Sequence, residues 1–215
     1  MLEVYKSETG LYVTNSYLIF DPISGESAVI DPGVFDGEYE KFLKERGVTV
    51  PKYILLTHGH FDHICGAYPL KEKLGGEILI HEEDAICLKN ADASLANAVE
   101  GYFQIEAVPD ATLKDGDTLY LGENKITVMH TPGHTRGSVI FMTDEYIFSG
   151  DTLFRRGMGR TDLPGGSTKA LFKSLRAIGQ IQGEYKIFPG HGPLSGLSYE
   201  KRNNRYLRAN DTSHE

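Results

Sequence analysis

One short stretch of the chain concentrates side chains that bind transition metals. It follows Thr57 and contains three imidazoles and one carboxylate, at His58, His60, Asp62 and His63. In extended backbone, His58 and His60 point the same way, whereas the adjacent Asp62 and His63 diverge and can serve a second centre. Imidazole nitrogens and carboxylate oxygens together are typical ligands of zinc, iron or manganese, not of calcium or magnesium. A solvated polar turn is the alternative, but four potential ligands within six residues favour a metal site.

Three further strand ends carry the same kind of side chain. In each case an apolar run leads into a turn that contains glycine, and the turn presents His134, Asp151 or His191. Glycine lets backbone approach a crowded centre. Taken singly, a Pro-Gly-His or Gly-Asp sequence is more often a simple turn. Together with the first loop, however, these positions raise the number of candidate ligands to seven: His58, His60, Asp62, His63, His134, Asp151 and His191.

Seven candidate ligands exceed what one ion needs. A zinc ion takes about four ligands, counting water. The set therefore predicts two divalent ions about 3.5–4 Å apart, with three ligands for each ion and one shared carboxylate. We expect zinc as the metal, with iron or manganese as alternatives.

The composition is that of an ordinary globular chain. It has 215 residues, 40% of them hydrophobic, and a formal net charge of −8. This length suits a single domain over residues 1–215, and the acidic balance argues against nucleic acid as a partner. No apolar run approaches the roughly 18 residues of a membrane span, and we recognise no secretory signal. Because only Cys65 and Cys87 are present, we expect a cytoplasmic protein without a disulfide framework.

Alternating strands and helices are predicted to position the seven side chains. Strands are predicted at 2–6, 13–20, 27–31, 53–56, 77–81, 118–121, 125–130, 138–143, 146–149 and 186–188. Helices are predicted at 35–46, 64–74, 82–89, 168–182 and 199–207. Two β-rich halves with helices packed outside them predict a four-layer αββα sandwich. Residues 90–110 show no clear period and are either a flap over the site or a connecting loop.

These motifs resemble the metallo-β-lactamase superfamily, and within it the type II glyoxalases (hydroxyacylglutathione hydrolases). The likeness runs from Asn15-Ser16-Tyr17 and Asp31-Pro32-Gly33 to Phe188-Pro189-Gly190-His191, and it includes Ser149-Gly150-Asp151. Full-length type II glyoxalases have a C-terminal helical domain that helps hold glutathione. Only 24 residues follow His191 here, so the resemblance is to the short bacterial form without that domain.

The resemblance implies a division of the seven ligands. One metal site would contain His58, His60 and His134, and the other Asp62, His63 and His191, with Asp151 bridging both ions. Asp31 would either orient a liganding histidine or serve as a turn residue before Pro32. Since β-lactamases proper often have a cysteine where this chain has Asp151, antibiotic hydrolysis is disfavoured.

The expected reaction is hydrolysis of a thioester. A hydroxide bridging two divalent ions is a nucleophile at neutral pH, and one ion stabilises the oxyanion that develops. Asp62 and Asp151, as ligands, would be the catalytic carboxylates, and Asp62 or a second water would manage protons. Two ions, two carboxylates and one hydroxide leave about one positive charge, which suits an anionic small molecule such as S-lactoylglutathione. By family likeness Arg160 contacts the thiol carrier; alternatively it pairs with a surface acid such as Asp162.

Four other functions compete with this interpretation. The first is a mononuclear iron persulfide dioxygenase, a related branch in which two histidines and one aspartate hold the metal. The second is hydrolysis of a lactone or another acyl bond. The third is a metal-bearing scaffold without activity, which the full set of ligand-type side chains disfavours. The fourth is processing of RNA, as in relatives with this fold, but no added basic domain is visible in the sequence.

Overall fold

The computed structural model describes residues 1–100 and 102–208, and it contains two six-stranded sheets. The first sheet contains, in spatial order, β1 (Glu3–Thr9), β2 (Thr14–Phe20), β3 (Ser27–Ile30), β4 (Tyr53–Leu55), β5 (Glu77–His81) and β6 (Ala111–Leu113). The strands β1 to β3 pair antiparallel, and β3 to β6 pair parallel. The carboxyl ends of the parallel strands therefore meet at one edge of the sheet.

The second sheet is built from the later half of the chain. Its strands and the small hairpin beside it are β7 (Thr118–Leu121), β8 (Asn124–His130), β9 (Val139–Met142), β10 (Tyr146–Gly150), β11 (Leu153–Phe154), β12 (Gly157–Met158), β13 (Lys186–Pro189) and β14 (Ser195–Gly196). The spatial order is β14-β13-β10-β9-β8-β7, while β11 and β12 pair only with each other. Because β10 and β13 are parallel, the loops after them leave the sheet side by side.

Helices cover the outer face of each sheet. The helices are α1 (Gly37–Lys44), α2 (Phe61–Ile64), α3 (Ala67–Leu74), α4 (Ala85–Lys89), α5 (Thr168–Gln180), α6 (Leu197–Asn203) and α7 (Arg205–Arg208). The side chains of α1, α3 and α4 pack on the first sheet, and those of α5 and α6 pack on the second. The longest helix, α5, begins where the hydroxyl of Ser167 accepts a hydrogen bond from the backbone N–H of Ala170.

Alternation along the strands separates the layers. In β4 and the residue after it, Leu55 belongs to the core between the two sheets, whereas Ile54 and Leu56 face the helices. Phe141 and Phe148 of the second sheet complete the central core. The predicted αββα sandwich is confirmed.

Some predicted elements differ from the structure. The helix predicted at 64–74 is two helices, because α2 begins at Phe61, inside the histidine-rich loop. The helix predicted at 199–207 is likewise divided, into α6 and α7. Four short strands were not predicted: β6, β11, β12 and β14. Apart from Gly101, which lies outside the described residues, the segment 90–110 is irregular with one 3₁₀ turn at Ala96–Ala98. Among the described helices, none is long and apolar enough to cross a bilayer.

Candidate metal centre

All seven predicted ligands come together where four strands end. Loops after β4, β8, β10 and β13 contribute them, so both sheets supply side chains to one site. Within residues 1–100 and 102–208, three groups offer ligand atoms within 4.8 Å of one another: His58 with His60 and His134, His58 with His63 and Asp151, and Asp62 with His63 and His191. These groups contain the two ligand sets that the resemblance implies, together with an Asp151 group that overlaps both.

The first group presents nitrogen lone pairs to a common point. The Nδ1 atom of His60 lies 2.9 Å from Nε2 of His134. The Nδ1 atom of His134 contacts the backbone carbonyl of Arg160 at 2.8 Å. A carbonyl only accepts, so Nδ1 of His134 carries the proton and Nε2 is left with a lone pair. Either a proton on Nδ1 of His60 or a cation held between the two nitrogens satisfies this lone pair.

His58 is oriented in the same way. The hydroxyl of Thr57 donates to Oδ2 of Asp31 at 2.6 Å, so it accepts from Nδ1 of His58, 3.1 Å away. The Nε2 atom of His58 and the Oδ1 atom of Asp151 are buried and, within the described residues, have no hydrogen-bond partner. Because an unpaired buried polar atom costs free energy, orphaned atoms here fit a site that binds a cation.

The second group mixes carboxylates with histidines. The Nε2 atom of His191 lies 3.2 Å from Oδ2 of Asp62, and Nε2 of His63 lies 3.3 Å from Nε2 of His191. Asp151 lies between the groups: Oδ1 is 3.5 Å from Nε2 of His63, and Oδ2 is 3.6 Å from Nε2 of His134. Oδ2 is also 3.6 Å from Nε2 of His191 in the second group, so the carboxylate lies within reach of both groups, as a shared ligand would.

The two groups differ in their electrostatics. Burial, reinforced by the neighbouring histidines, lowers the pKa of His58 well below its ordinary value and that of His60 to about 3. Burial acts on His63 in the same direction, but Asp62, Asp31 and Asp151 outweigh it and raise the pKa of His63 to about 10. His58 and His60 are thus neutral on one side of the centre, and carboxylate charge that attracts cations is concentrated on the other.

The carboxylate of Asp62 is held as an anion. Burial would raise its pKa, but His63, His191 and the hydroxyl of Thr14 outweigh burial and lower the pKa below the usual range. The Thr14 hydroxyl donates to Oδ2 of Asp62 at 3.0 Å. An anion fixed in this way is better suited to holding a cation than to accepting a proton.

Asp31 orients one of the candidate ligands. Its Oδ2 lies 2.9 Å from Nδ1 of His63, and its Oδ1 accepts from the backbone N–H of Thr57 at 2.8 Å. This residue also adopts a positive φ of 49° before Pro32. The two interpretations of Asp31, turn residue and acceptor for a histidine, are therefore both correct: the turn aims the carboxylate at His63.

Sequence reasoning missed Asp84, which connects two of the ligand loops. The side chain is buried. Its Oδ2 accepts hydrogen bonds from the backbone N–H of Gly59 at 2.8 Å and from the hydroxyl of Thr135 at 2.6 Å. Its Oδ1 accepts one from the backbone N–H of Gly137 at 2.7 Å. Gly59 lies between two candidate ligands, and Thr135 follows another. An acid in a Glu-Glu-Asp run looks like surface charge in the sequence, so no local signal identifies it.

Glycine is required beside the centre at Gly190. A Cβ built on this residue would overlap the Asp151 carboxylate and lie 2.7 Å from Cε1 of His63. The expectation that glycine permits close backbone approach is met at this position.

A cleft of about 640 Å³ opens above the centre. Besides five of the candidate ligands, it is lined mainly by apolar side chains, and Leu95, Ala98 and Val99 of the segment 90–110 form part of its wall. That segment is therefore part of the site and not a remote connection. Arg160 also lines the cleft, but its guanidinium makes two hydrogen bonds, of 2.7 and 2.8 Å, to Asp162. The predicted alternative of a pair with Asp162 is what the structure contains.

Comparison with known proteins assigns the class. The family model of the metallo-beta-lactamase superfamily matches residues 9–208, so the chain belongs to this superfamily. Its members are typically metal-dependent hydrolases, and the His and Asp groups described above fit that chemistry.

Three similar proteins illustrate the range within the family. Hydroxyacylglutathione hydrolase GloC of Haemophilus influenzae is 34% identical over 204 residues, covering 91% of this chain and 93% of GloC. The BLEG-1 B3 metallo-beta-lactamase is 30% identical with a TM-score of 0.89, covering 95% of this chain and 99% of BLEG-1. The di-iron-bound form of TTHA1623 is 36% identical with a TM-score of 0.83, covering 94% and 99%. The narrower type II glyoxalase assignment and the choice of zinc stay predictions.

Proposed function

We propose that this protein is a metal-dependent thioesterase that hydrolyses an anionic thioester such as S-lactoylglutathione. The observation that carries the proposal is the position of Asp151, with one oxygen near His63 and the other equally near His134 and His191. A carboxylate between two sets of ligand atoms is what a two-metal hydrolase needs. The relative GloC, named as a hydroxyacylglutathione hydrolase, supports the choice of substrate.

The seven side chains would hold two divalent ions, with zinc as the first candidate and iron or manganese as alternatives. Ions held there would supply a water that is nucleophilic at neutral pH and would polarise the thioester carbonyl. The protein's own contribution is orientation: Thr57, Asp31 and the Arg160 carbonyl turn the imidazoles of His58, His63 and His134 so that each Nε2 faces the centre.

The nature of the leaving group favours a thioester over an amide as the substrate. A thiol has a pKa of about 8.5, so it leaves as a thiolate without needing a proton from a strong general acid. Asp62, whose pKa is held below the usual range, is a poor proton donor. With Asp62 unable to donate a proton, the site suits a leaving group that needs no help from this carboxyl group.

The experiment is steady-state hydrolysis of S-lactoylglutathione by zinc-loaded protein, with aerobic and anaerobic samples in parallel. We expect turnover that does not depend on oxygen, with kcat/KM of roughly 10⁴ M⁻¹s⁻¹ or more. Background rates in both samples would refute the proposal. Oxygen consumption with glutathione persulfide, at one iron per chain, would instead identify the dioxygenase. Turnover of a lactone in place of the thioester would move the assignment to another acyl bond.

Lactam hydrolysis is a second candidate, because BLEG-1 is named as a metallo-beta-lactamase and aligns with 95% of this chain. The same zinc-loaded preparation is assayed with a chromogenic cephalosporin. A kcat/KM for the lactam that exceeds the value for S-lactoylglutathione would make the lactam the preferred substrate. We expect the reverse order.

A further inference from the structure

The wall of the cleft beside the first sheet is apolar. It is formed by Tyr12 at the tip of the β1–β2 hairpin, Phe61 in the histidine-rich loop, and Leu95, Ala98 and Val99. Apart from the candidate ligands, the charged side chain that lines the cleft, Arg160, comes from the second half of the chain. The second half of the chain also contributes Phe154, Met158 and Leu163, so the cleft is largely apolar, and Arg160 marks the side that carries a cation.

Aromatic contacts hold the apolar wall in place. The ring of Tyr12 meets Phe61 edge-on with ring centroids 5.3 Å apart, and Phe61 meets Tyr102 edge-on at 4.5 Å. The backbone N–H of Phe61 donates to the carbonyl of Ser94 at 2.9 Å, which ties Leu95 to the same unit. Since Phe61 lies between two candidate ligands, the wall is fixed relative to the metal centre.

Two segments of this wall hold unfavourable backbone conformations. Leu95 has φ 70° and Val13, next to Tyr12, has φ 54°, both in the left-handed region that disfavours bulky side chains. Such residues persist where the surroundings impose them, and they concentrate at ligand sites. Meanwhile Tyr12 is 51% exposed, so about half of this large residue at the edge of the cleft is open to water.

We infer that this wall, with Tyr12 as its exposed edge, is a subsite for an apolar group of the substrate, and that it makes thioesters with bulky apolar acyl groups better substrates than S-lactoylglutathione, whose acyl group is small and polar. The inference rests on the proposed function, because it names the acyl class of that thioesterase. An acyl carbon bound at the metal centre has its substituent next to Phe61, while the anionic carrier extends toward Arg160. Each methylene buried on the wall would tighten binding by about fourfold.

The test is calorimetric titration of the zinc-loaded protein with S-methylglutathione and S-hexylglutathione. These thioethers contain no acyl bond, so their binding is measured whether or not the protein hydrolyses S-lactoylglutathione. We expect the hexyl compound to bind at least about tenfold more tightly than the methyl compound. A ratio within twofold, or no measurable binding of the hexyl compound, would overturn the inference.

Substitutions locate the effect. Tyr12→Ala should reduce the hexyl-to-methyl ratio below about threefold, and Tyr12→Phe, which keeps the ring, should preserve it. Tyr120→Ala is the matched control, because Tyr120 is 50% exposed on β7 and does not line the cleft. A ratio that survives Tyr12→Ala, or falls equally in Tyr120→Ala, contradicts the assignment of this wall.

A kinetic comparison separates this inference from the proposed function. If S-lactoylglutathione is hydrolysed but S-mandeloylglutathione has a lower kcat/KM, the thioesterase assignment stands and the apolar subsite is refuted. If neither thioester is hydrolysed but the hexyl preference is present and depends on Tyr12, the subsite stands and the reaction is a different one.

Discussion

At the scale of single residues, His63 and His134 use one ring nitrogen to bind a neighbouring group and the other to face the candidate metal position. Nδ1 of His63 is bound by Asp31 and Nδ1 of His134 by the carbonyl of Arg160, and in both rings Nε2 faces the candidate metal position. The second nitrogen thus fixes the tautomer and direction of the first. A histidine without such a partner would rotate and lose part of its affinity for a metal.

Asp151→Asn should remove one or both ions and most of the activity. The substitution keeps the size of the side chain but replaces one oxygen with an amide nitrogen and removes the charge, so one group loses its contact with the shared carboxylate. We expect metal content per chain to fall by about half or more and kcat by at least about a hundredfold. Elemental analysis and steady-state kinetics measure both, with the exposed Asp144→Asn as control. Full metal content together with full activity would end the bridging proposal.

Arg160→Ala should raise KM for an anionic thioester about three- to tenfold with little change in kcat. Its side chain is 61% exposed and already paired with Asp162. An anionic substrate would therefore meet a positive charge that Asp162 and water partly screen. Alanine keeps the backbone carbonyl that orients His134, which is why kcat should be retained. Arg155→Ala is the control, because that guanidinium lies over the ring of Tyr199. An unchanged KM would exclude Arg160 from the substrate site.

At the scale of elements, the ligand loops are tied to one another and not only to their own strands. Asp84, just after β5, accepts hydrogen bonds from the loop that follows β4 and from the loop between β8 and β9. These loops belong to different sheets. The distance between His60 and His134 is therefore maintained by a carboxylate that touches neither ring.

Asp84→Asn should destabilise the metal-free protein by about 2–4 kcal/mol. A carboxylate satisfies three donors here, whereas an amide turns one NH₂ group toward a backbone N–H that needs an acceptor. Urea unfolding of the metal-free variant measures the loss, and calorimetric zinc titration should show weaker binding. The exposed neighbour Glu83→Gln should leave both values unchanged. Unaltered stability and zinc affinity in Asp84→Asn would show that the loops do not depend on this carboxylate.

At the scale of the whole molecule, metal binding should join the two sheets. His58, His60, Asp62 and His63 come from the first sheet's loop after β4, whereas His134, Asp151 and His191 come from loops of the second sheet. Both ligand groups contain residues from the two sheets. An ion bound by either group therefore links layers that are otherwise held together by the apolar core.

Chelation should lower Tm by about 5–15 °C. A metal ion that binds only the folded state, at 100 to 1,000 times its Kd, stabilises that state against unfolding by about 3–4 kcal/mol, and chelation removes this contribution. Differential scanning calorimetry before and after dialysis against a chelator measures the change, and added zinc should restore the original Tm. The Asp151→Asn variant should respond less to the chelator. Identical Tm values with and without metal would mean that bound ions do not link the sheets.

The fold class and the candidate ligands could be predicted from the sequence because their signals are local. Apolar runs identified the long strands, helical spacing identified α1 and α5, and repeated turns with glycine identified His134, Asp151 and His191. The two-residue strands could not be predicted, since so few residues contain no periodicity. The roles of these ligands with metal remain predictions.

Only the tertiary structure decided the relations between distant parts of the chain. The contact of Thr14 with Asp62 spans 48 positions, and that of Asp84 with Gly137 spans 53, so no local pattern reports either. The same holds for the apolar wall, which combines a hairpin tip, a metal loop and an irregular segment. The sequence by itself determined which side chains are available for chemistry, because residue type and spacing are local properties. Folding determined which atoms face the centre and which groups hold them there, because those contacts exist only once the two sheets have packed.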